Sequence, residues 1–182
     1  MKKIAVLFSG TGSNLAYLLK HLHQKDDFEI VVALTNRPNA GGIEFAREYS
    51  IPLEIVDSKA FDSREEFDTK IVEVLDRYTP DLTILAGFMR ILTPIFTERI
   101  EAINLHPSLL PRHKGLLAIE RSYEDSYPTG GVSVHWVTSE LDGGEIILQR
   151  EIIKEGLSFE EYEGKIKVIE KIALLDGVRS IF

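Results

Sequence analysis

The sequence contains no cysteine and has fewer basic than acidic residues, and both shortages limit what the protein can be. Without cysteine there can be no disulfide, no thiolate metal ligand and no cysteine nucleophile. The 182 residues carry 21 Lys and Arg against 29 Asp and Glu, a formal net charge of -8. Nucleic-acid phosphates are bound by clustered lysines and arginines, so this balance argues against a nucleic-acid partner. A small phosphorylated ligand remains possible, because a few backbone amides can hold one phosphate.

Long apolar runs are also absent. No segment approaches the roughly 20 residues that cross a bilayer, and the apolar start at residues 4–8 reaches Ser9 and Gly10 too soon for a signal peptide. We therefore expect a cytoplasmic protein with no membrane partner. The composition, 44% hydrophobic and 27% charged, supplies one hydrophobic core, so we expect a single domain over residues 1–182.

Short apolar runs rich in β-branched residues alternate with amphipathic segments in the first half of the chain, which favours an α/β fold with a doubly wound, mainly parallel sheet. The predicted strands are residues 4–8, 28–34, 53–56 and 82–86, and the predicted crossover helices are residues 15–22, 43–49 and 64–78. The second half departs from this alternation. There we predict an apolar connector at 88–96, a short strand at 103–106, an ordered loop at 107–111, a hairpin of strands 132–137 and 145–153 around the turn 141–144, and a helix at 159–175 capped by Ser158.

A glycine-containing turn, Ser9-Gly10-Thr11-Gly12-Ser13-Asn14, joins the first strand to the first helix. Its small residues would let backbone amides approach an anion at the helix N-terminus. It lacks the third glycine of a dinucleotide fingerprint and the lysine of a P-loop. The alternative is a tight turn in which Ser13 or Asn14 caps the helix, and the turn alone does not separate the two.

Asn104 and His106 form a second candidate group. Residues two apart in an extended chain point to the same side, and Pro107 favours an extended His106. An amide N–H can bind an oxyanion while a histidine moves a proton, so the pair suits acyl-group chemistry. Asp142, in the predicted hairpin turn, would favour the protonated imidazolium of His106 if the two were close. Otherwise His106 is a structural histidine and Asp142 a turn residue.

Together, five segments in this order resemble the phosphoribosylglycinamide formyltransferase family, which is folate-dependent, along nearly the whole chain. They are Ser9-Gly10-Thr11-Gly12-Ser13-Asn14-Leu15, Asp62-Ser63-Arg64, Leu85-Ala86-Gly87-Phe88-Met89-Arg90-Ile91-Leu92, Asn104-Leu105-His106-Pro107-Ser108-Leu109-Leu110-Pro111 and Glu140-Leu141-Asp142-Gly143-Gly144. The resemblance implies a Rossmann-like formyltransferase fold and formyl transfer from 10-formyltetrahydrofolate to the amine of glycinamide ribonucleotide. It assigns catalysis to Asn104, His106 and Asp142, and it implies no metal.

The resemblance also assigns ligand-binding positions. It places the nucleotide phosphate on Gly12, Ser13 and Asn14, with Lys167 near the phosphate and Glu170 at the substrate amine. The positions that it gives to the formyl-folate are Arg64, Met89, Arg90, Ile91, Leu92, Asn104, Thr138, Ser139, Glu140, Leu141 and Asp142. Without it, Lys167 and Glu170 read as a solvated charge pair, and the folate positions as ordinary packing and surface charge.

The chain departs from the family pattern in two places. A proline common before Gly115 is replaced by Lys114, and the residues after Glu170 lack the usual histidine and proline, so the loop at 112–117 and the register of the last helix are the open points. The remaining histidines do not suggest a metal site. His21 and His23 are two apart on a predicted helix, and His113 and His135 each stand alone in the sequence.

We expect the substrates to meet beyond the carboxyl ends of the strands, the usual ligand position in an open parallel sheet. Two other functions remain. A formyltetrahydrofolate deformylase would give the formyl group to water, but the phosphate turn, Glu170 and the start of the first strand at Lys2 or Lys3, without a preceding regulatory domain, argue against it. A non-catalytic nucleotide- or folate-binding relative would not need Asn104, His106 and Asp142. Transfer to methionyl-tRNA is not expected, because it would require a further RNA-binding domain that neither the length nor the charge of the chain supplies.

Overall fold

The protein is described here by a computed structural model that covers all 182 residues, and the chain folds into two compact units, Met1–Ile103 and Asn104–Phe182. Seven strands and six α-helices form the fold, and none of the helices is both long and apolar enough to cross a membrane. The elements are β1 (Lys2–Phe8), α1 (Ser13–His21), β2 (Phe28–Thr35), α2 (Ile43–Glu48), β3 (Leu53–Ile55), α3 (Arg64–Tyr78), β4 (Leu82–Leu85), α4 (Pro94–Thr97), β5 (Ala102–His106), α5 (Ala118–Glu124), β6 (Thr129–Trp136), β7 (Ile146–Ile153) and α6 (Phe159–Ile181).

The first unit is built on parallel strands in the order β3-β2-β1-β4. β1 is central, with Ile4 paired to Ile30 of β2 and to Leu82 of β4. Five consecutive β1 residues, from Ile4 to Phe8, are fully buried, as expected for a parallel strand that is covered on both faces. The four predicted strands are confirmed here with ends shifted by one or two residues.

Helix α3 illustrates how local sequence sets an element. Ser63 accepts a hydrogen bond from the Glu66 backbone N–H at 3.1 Å, which satisfies one amide of the first turn. Phe67 and Ile71, four apart, are buried on one face of the helix. The helix ends before Thr79, which takes a left-handed conformation with φ of 46°. Its bounds are those that the sequence pattern predicts.

The second unit contains the predicted hairpin, in which β6 pairs with β7 in antiparallel register, Val132 opposite Arg150. Helix α6 packs against both strands. Gly130 of β6 lies directly beneath the Tyr162 hydroxyl of α6, where a Cβ would overlap it, so this close approach requires glycine. The hydroxyl is bound to Ser122 of α5 at 2.7 Å, which ties the two helices together.

Three elements differ from the sequence predictions. Helix α6 continues to Ile181, six residues beyond the predicted end, because Gly177 and Val178 continue its buried face. The predicted connector at 88–96 contains the start of α4, which begins at Pro94, a residue that suits the first helical position. Helix α5 is absent from the predictions; a residue with left-handed φ, Leu117, precedes it instead of a capping side chain.

Removal of the α6 cap should lower stability. Ser158 accepts a hydrogen bond from the Glu161 N–H, and the Glu161 carboxylate accepts one from the Ser158 N–H. Because Ser158→Ala leaves one first-turn amide unpaired, we expect it to decrease the free energy of unfolding by about 1 kcal/mol. Urea denaturation measures this change. Ser158→Asp, which can still cap, should stay close to wild type; equal losses in the two variants would contradict a capping role.

Candidate active site

His106 and Asp142 lie together in the second unit. His106 is the last residue of β5, and Asp142 lies in the connection between β6 and β7. The His106 Nδ1 and Asp142 Oδ2 atoms are 3.4 Å apart, and both residues are only 7% exposed. A buried imidazole next to a buried carboxylate forms a pair that can hold and move a proton.

The other ring nitrogen of His106 is bound to the backbone. Its Nε2 lies 2.8 Å from the carbonyl oxygen of His113. Since a carbonyl can only accept, Nε2 carries the hydrogen and donates it. Nδ1 is therefore the nitrogen that can exchange a proton with a reacting group. It faces Asp142 at 3.4 Å, which is longer than a strong hydrogen bond, so a ligand could also contact it.

The Asp142 carboxylate is contacted by one backbone amide and two imidazole rings. The Gly115 N–H donates to Oδ2 at 2.9 Å, and His135 Nε2 lies 3.6 Å from Oδ1. Burial alone would raise the pKa of Asp142, but the His135 ring, the Gly115 amide and the nearby His106 outweigh it, so that the pKa is lowered from its ordinary value. Asp142 also has a left-handed backbone, φ 51°, which is uncommon for a residue other than glycine and occurs often at functional sites.

The sequence suggested that His135 stands alone, but in the folded protein it has a neighbour in the candidate site. It lies in β6, fully enclosed, beside Asp142. Its Nδ1 donates to the Trp136 carbonyl at 2.9 Å, while Nε2 is buried without a hydrogen-bond partner. The signal for this residue was present in the alternating pattern of β6, where Ser133 and His135 occupy the polar positions of a strand whose other positions are apolar.

Asn104 lies two residues before His106 in β5 and is half-buried. Its side-chain amide carries two N–H donors that could bind a ligand. The structure thus brings His106 and Asp142 into direct contact and places Asn104 on the same strand as His106. All three residues that the resemblance assigned to catalysis therefore lie in the second unit.

The turn before α1 presents an open helix N-terminus. Gly12 precedes the helix with φ of 74° and packs so closely on Gly42 that a Cβ would overlap the Gly42 backbone. No side chain caps α1, and its first turn has no acidic residue. Neither Ser13 nor Asn14 therefore acts as the cap, and Asn14 Oδ1 is buried without a partner. The first amides of α1 remain open to an anion.

The segment 89–92, also in the first unit, is fixed at both ends. The Met89 N–H donates to Ser9 Oγ at 2.8 Å, and Thr93 donates to Asp68 through its N–H at 2.6 Å and its hydroxyl at 2.7 Å. Between these anchors Met89 and Ile91 are 58% and 57% exposed. Two exposed apolar side chains on a rigid segment are typical of a ligand-binding surface.

The other positions assigned to folate are accessible. Arg64 is exposed at the first position of α3, and Arg90 stacks over Phe67 at 4.8 Å from the ring centre. Leu92 is half-buried. In the second unit the run from Thr138 to Leu141 is exposed, directly before the buried Asp142.

Lys167 and Glu170 lie on α6, three residues apart, on neighbouring positions of the helix surface. Lys167 is 3.4 Å from Glu163. Burial raises the pKa of the Glu170 carboxyl, although Lys171 and Lys167 act in the opposite direction. Glu170 is therefore more than a solvated surface charge. No group of three or more His, Asp or Glu side chains is arranged to hold a metal ion.

Comparison with known proteins decides the family. A sequence model described as formyl transferase matches residues 2–178. The chain belongs to the formyl transferase family. Among curated proteins it is 36% identical to the phosphoribosylglycinamide formyltransferase of Escherichia coli, over 97% of this chain and 94% of the relative. It is also 36% identical to the human trifunctional purine biosynthetic protein adenosine-3, over 92% of this chain but only 17% of that longer protein.

Solved structures of formyl transferases agree with the fold. The crystal structure of phosphoribosylglycinamide formyltransferase from Campylobacter jejuni aligns with a TM-score of 0.97 at 51% identity, covering 100% of this chain and 97% of the other. A Coxiella burnetii phosphoribosylglycinamide formyltransferase in complex with CHES aligns with a TM-score of 0.87 at 36% identity, covering 94% of this chain and 82% of the other. The predicted α/β formyltransferase fold is confirmed.

The lowered pKa of Asp142 gives the stability of this formyl transferase a pH dependence of known sign. Because the folded-state pKa is below the unfolded value of about 3.9, the charge stabilises the fold above that pH, and the stabilisation is lost as pH falls through the folded-state value. We expect the free energy of unfolding of wild type to fall more steeply below about pH 5 than that of Asp142→Asn.

Urea denaturation at a series of pH values checks this expectation. Asparagine tolerates a left-handed backbone, so the substitution removes the charge without a new backbone strain. Asp62→Asn, at an exposed carboxylate, is the matched control and should follow wild type. If the Asp142→Asn and wild-type curves ran parallel throughout, the carboxylate would not be the source of the effect.

Proposed function

We propose that this chain transfers the formyl group of 10-formyltetrahydrofolate to the amino group of N1-(5-phosphoribosyl)glycinamide, a step of purine synthesis. The observation that carries the proposal is the buried pair of His106 and Asp142, 3.4 Å apart, in a formyl transferase whose relatives over nearly their full length are named phosphoribosylglycinamide formyltransferase. A pair of this kind suits the transfer of an acyl group between two amines.

The nucleotide phosphate would bind at the N-terminus of α1. The amides of Ser13 and Asn14 have no intrahelical partner there, and the left-handed Gly12 leaves no side chain in front of them. The partial positive charge of the helix end suits an anion. Lys167 would add one positive charge near the phosphate, exchanging its contact with Glu163 for the ligand.

The formyl-folate would bind at the positions that the family resemblance assigns to it. Met89 and Ile91 offer apolar contact to a flat ring system, and Arg90 and Leu92 lie on the same segment. Arg64 can pair with a carboxylate of the folate. In the second unit, the run from Thr138 to Asp142 would complete the folate contacts together with Asn104.

The reaction begins when the neutral amine of the nucleotide attacks the formyl carbon. A carbon–nitrogen bond forms and the formyl oxygen takes the negative charge. The Asn104 amide and His106 Nδ1, when protonated, would donate to that oxygen; Nε2 is already committed to the His113 carbonyl. Glu170 would hold the attacking amine through its hydrogens.

Collapse of the tetrahedral intermediate breaks the bond from the formyl carbon to the folate nitrogen. The proton lost by the attacking amine must reach that departing nitrogen. Asp142, whose negative charge keeps His106 charged, would help water carry that proton across without holding it. The products are the formylated nucleotide and tetrahydrofolate. No bond to the enzyme forms at any stage, and no metal takes part.

A coupled assay tests the proposed function. Purified protein is incubated with 10-formyltetrahydrofolate, with and without the nucleotide, and the loss of formyl-folate and the appearance of formylated nucleotide are both followed. Turnover that requires the nucleotide is the expected result. Equal loss of formyl-folate without the nucleotide would identify a deformylase instead, and ligand binding without any turnover would identify a binding protein.

Two variants make the assay specific for the proposed roles. We expect Asn104→Ala to reduce kcat by roughly 10²- to 10³-fold, because one donor to the oxyanion is lost. His106→Ala should abolish product formation while nucleotide binding, measured by calorimetry, survives. Wild-type kcat in Asn104→Ala would contradict the oxyanion role of its amide.

Glu170 should lower the stability of the unliganded protein while it serves binding. Its pKa is raised by burial, so ionisation is less favourable in the folded than in the unfolded chain, and stability falls as pH rises from the unfolded value of about 4.3 through the folded one. We therefore expect Glu170→Gln to raise the melting temperature at pH 7.5 and to raise KM for the nucleotide.

Scanning calorimetry and initial rates provide the two readouts for this variant. Glu163→Gln, on the same helix, removes a carboxylate whose charge is paired with Lys167 and should not stabilise the protein in this way. A Glu170→Gln variant that is less stable than wild type would contradict the stated cost of burial. An unchanged KM would remove Glu170 from the binding of the amine.

A further inference from the structure

His113 contacts the candidate active site through its backbone and a charged cluster through its side chain. Its carbonyl oxygen accepts the Nε2 hydrogen of His106 at 2.8 Å. Its own ring nitrogen Nε2 lies 2.6 Å from Asp125 Oδ2, a distance typical of a hydrogen bond to a charged group. One residue therefore connects the reacting histidine to a second, otherwise unexplained set of charges.

The second set is centred on a buried lysine. Lys154 is 9% exposed, and its ammonium group donates to Asp125 Oδ1 at 2.6 Å, to the Ser122 carbonyl at 2.7 Å and to the Asp125 carbonyl at 3.1 Å. A buried ammonium is stable only when its donors are used, and here those three acceptors and the Tyr123 carbonyl, at 3.5 Å, surround it. Lys154 thus fixes the end of α5 and orients the Asp125 carboxylate.

Asp125 is held in its charged form by its neighbours. Burial would raise its pKa, but hydrogen bonds from Lys154, His113 and the Tyr127 N–H lower it below the ordinary value. Arg112 adds a further positive charge at 3.9 Å. Both carboxylate oxygens are engaged, Oδ1 by Lys154 and Oδ2 by His113, so the position of the His113 ring is fixed from the Asp125 side.

The His113 backbone needs such an anchor. Its φ is 57°, in the left-handed region that side chains rarely adopt, and Gly115 and Leu117 are left-handed as well. Other bonds to this stretch come from Ser108, whose hydroxyl donates to the Arg112 carbonyl at 2.5 Å and lies 3.5 Å from the His113 carbonyl, and from exposed Arg121, which donates to the Lys114 carbonyl at 2.8 Å. The bond to Asp125 is the one made by the side chain of His113 itself.

The same short stretch contacts the second reacting group. Two residues after His113, the Gly115 N–H donates to Asp142 at 2.9 Å. A displacement of the stretch would therefore change the direction of the His106 ring and remove a donor from Asp142 together. Because reacting groups that are misplaced by about 1 Å can cost on the order of 100-fold in rate, this anchor has leverage on the chemistry.

We propose that the His113 side chain, held by Asp125 and Lys154, is a positioning residue for His106, setting the direction of its ring through the His113 carbonyl. The proposal rests on the proposed function in that it gives His106 the reacting role. The carbonyl itself remains after any substitution at position 113. What a substitution removes is the anchor that keeps the carbonyl in place, so the effect falls on the reacting step rather than on substrate binding.

The test compares three variants. His113→Leu removes the bond to Asp125, His113→Gln can keep it because its side-chain NH₂ can reach the place of the ring Nε2, and Tyr123→Phe removes a nearby hydrogen bond, from Tyr123 to the Leu157 carbonyl at 2.9 Å, without touching His113. We expect His113→Leu to lower kcat by about 10- to 100-fold with both KM values within about twofold of wild type. His113→Gln should recover most of kcat, and Tyr123→Phe should match wild type.

A second readout does not need turnover. The chain has five histidines, few enough for their ring nitrogens to be resolved by ¹⁵N nuclear magnetic resonance. The signals of His106 are those that disappear in His106→Ala. In wild type the His106 Nε2 should be protonated and its hydrogen protected from exchange. His113→Leu should remove that protection, and His113→Gln should restore it.

These readouts separate the two hypotheses. If wild type shows no transferase turnover, the proposed function fails, and the spectra alone decide whether His113 positions His106. The positioning role is overturned if His113→Leu keeps wild-type kcat and an unchanged His106 spectrum, if Tyr123→Phe loses as much as His113→Leu, or if only KM changes.

Discussion

A carboxylate stays charged inside a protein only when donors surround it, and Asp142 imposes this constraint on the second unit. Its neighbours come from distant points of the sequence: the Gly115 N–H, which donates to it, from the loop after β5, the His135 ring from β6, and the His106 ring from the end of β5. Asp142 presents its carboxylate to them from a left-handed backbone in the connection between β6 and β7. The hairpin connection, the loop after β5 and the end of β5 thus meet at this one carboxylate.

The elements with strong local signals could be predicted from the sequence. Helix α3 was delimited by its Ser63 cap and its apolar spacing, and β1 by an unbroken apolar run between a charged start and a glycine turn. Helix α5 could not be found in this way, because it begins at a left-handed Leu117 without a capping side chain and follows an irregular loop. The last six residues of α6 were not predicted, because the apolar spacing after residue 175 did not distinguish a continuing helix from an irregular chain end.

The site shows a similar division. Asn104 and His106 are two apart in sequence, so their common strand was predictable. The small residues of the turn before α1 did not by themselves separate an anion site from a capped tight turn. The contacts of His135 and His113 were not predictable from the sequence. Each acts through a partner far away in the chain, Asp142 for one and Asp125 for the other, and His113 reaches His106 through a backbone carbonyl that every residue possesses. No pattern of residue types records such a contact.

The use of a backbone acceptor for His106 has a consequence for how this part of the chain can change over time. Any amino acid at position 113 supplies the carbonyl, so substitutions there are not forbidden by chemistry; they are limited by what can reach residue 125. A substitution at position 113 can then be compensated by a substitution at position 125, and the reverse. The evolutionary trace of the contact would then be a pair of positions that change together, beside a His106 that does not.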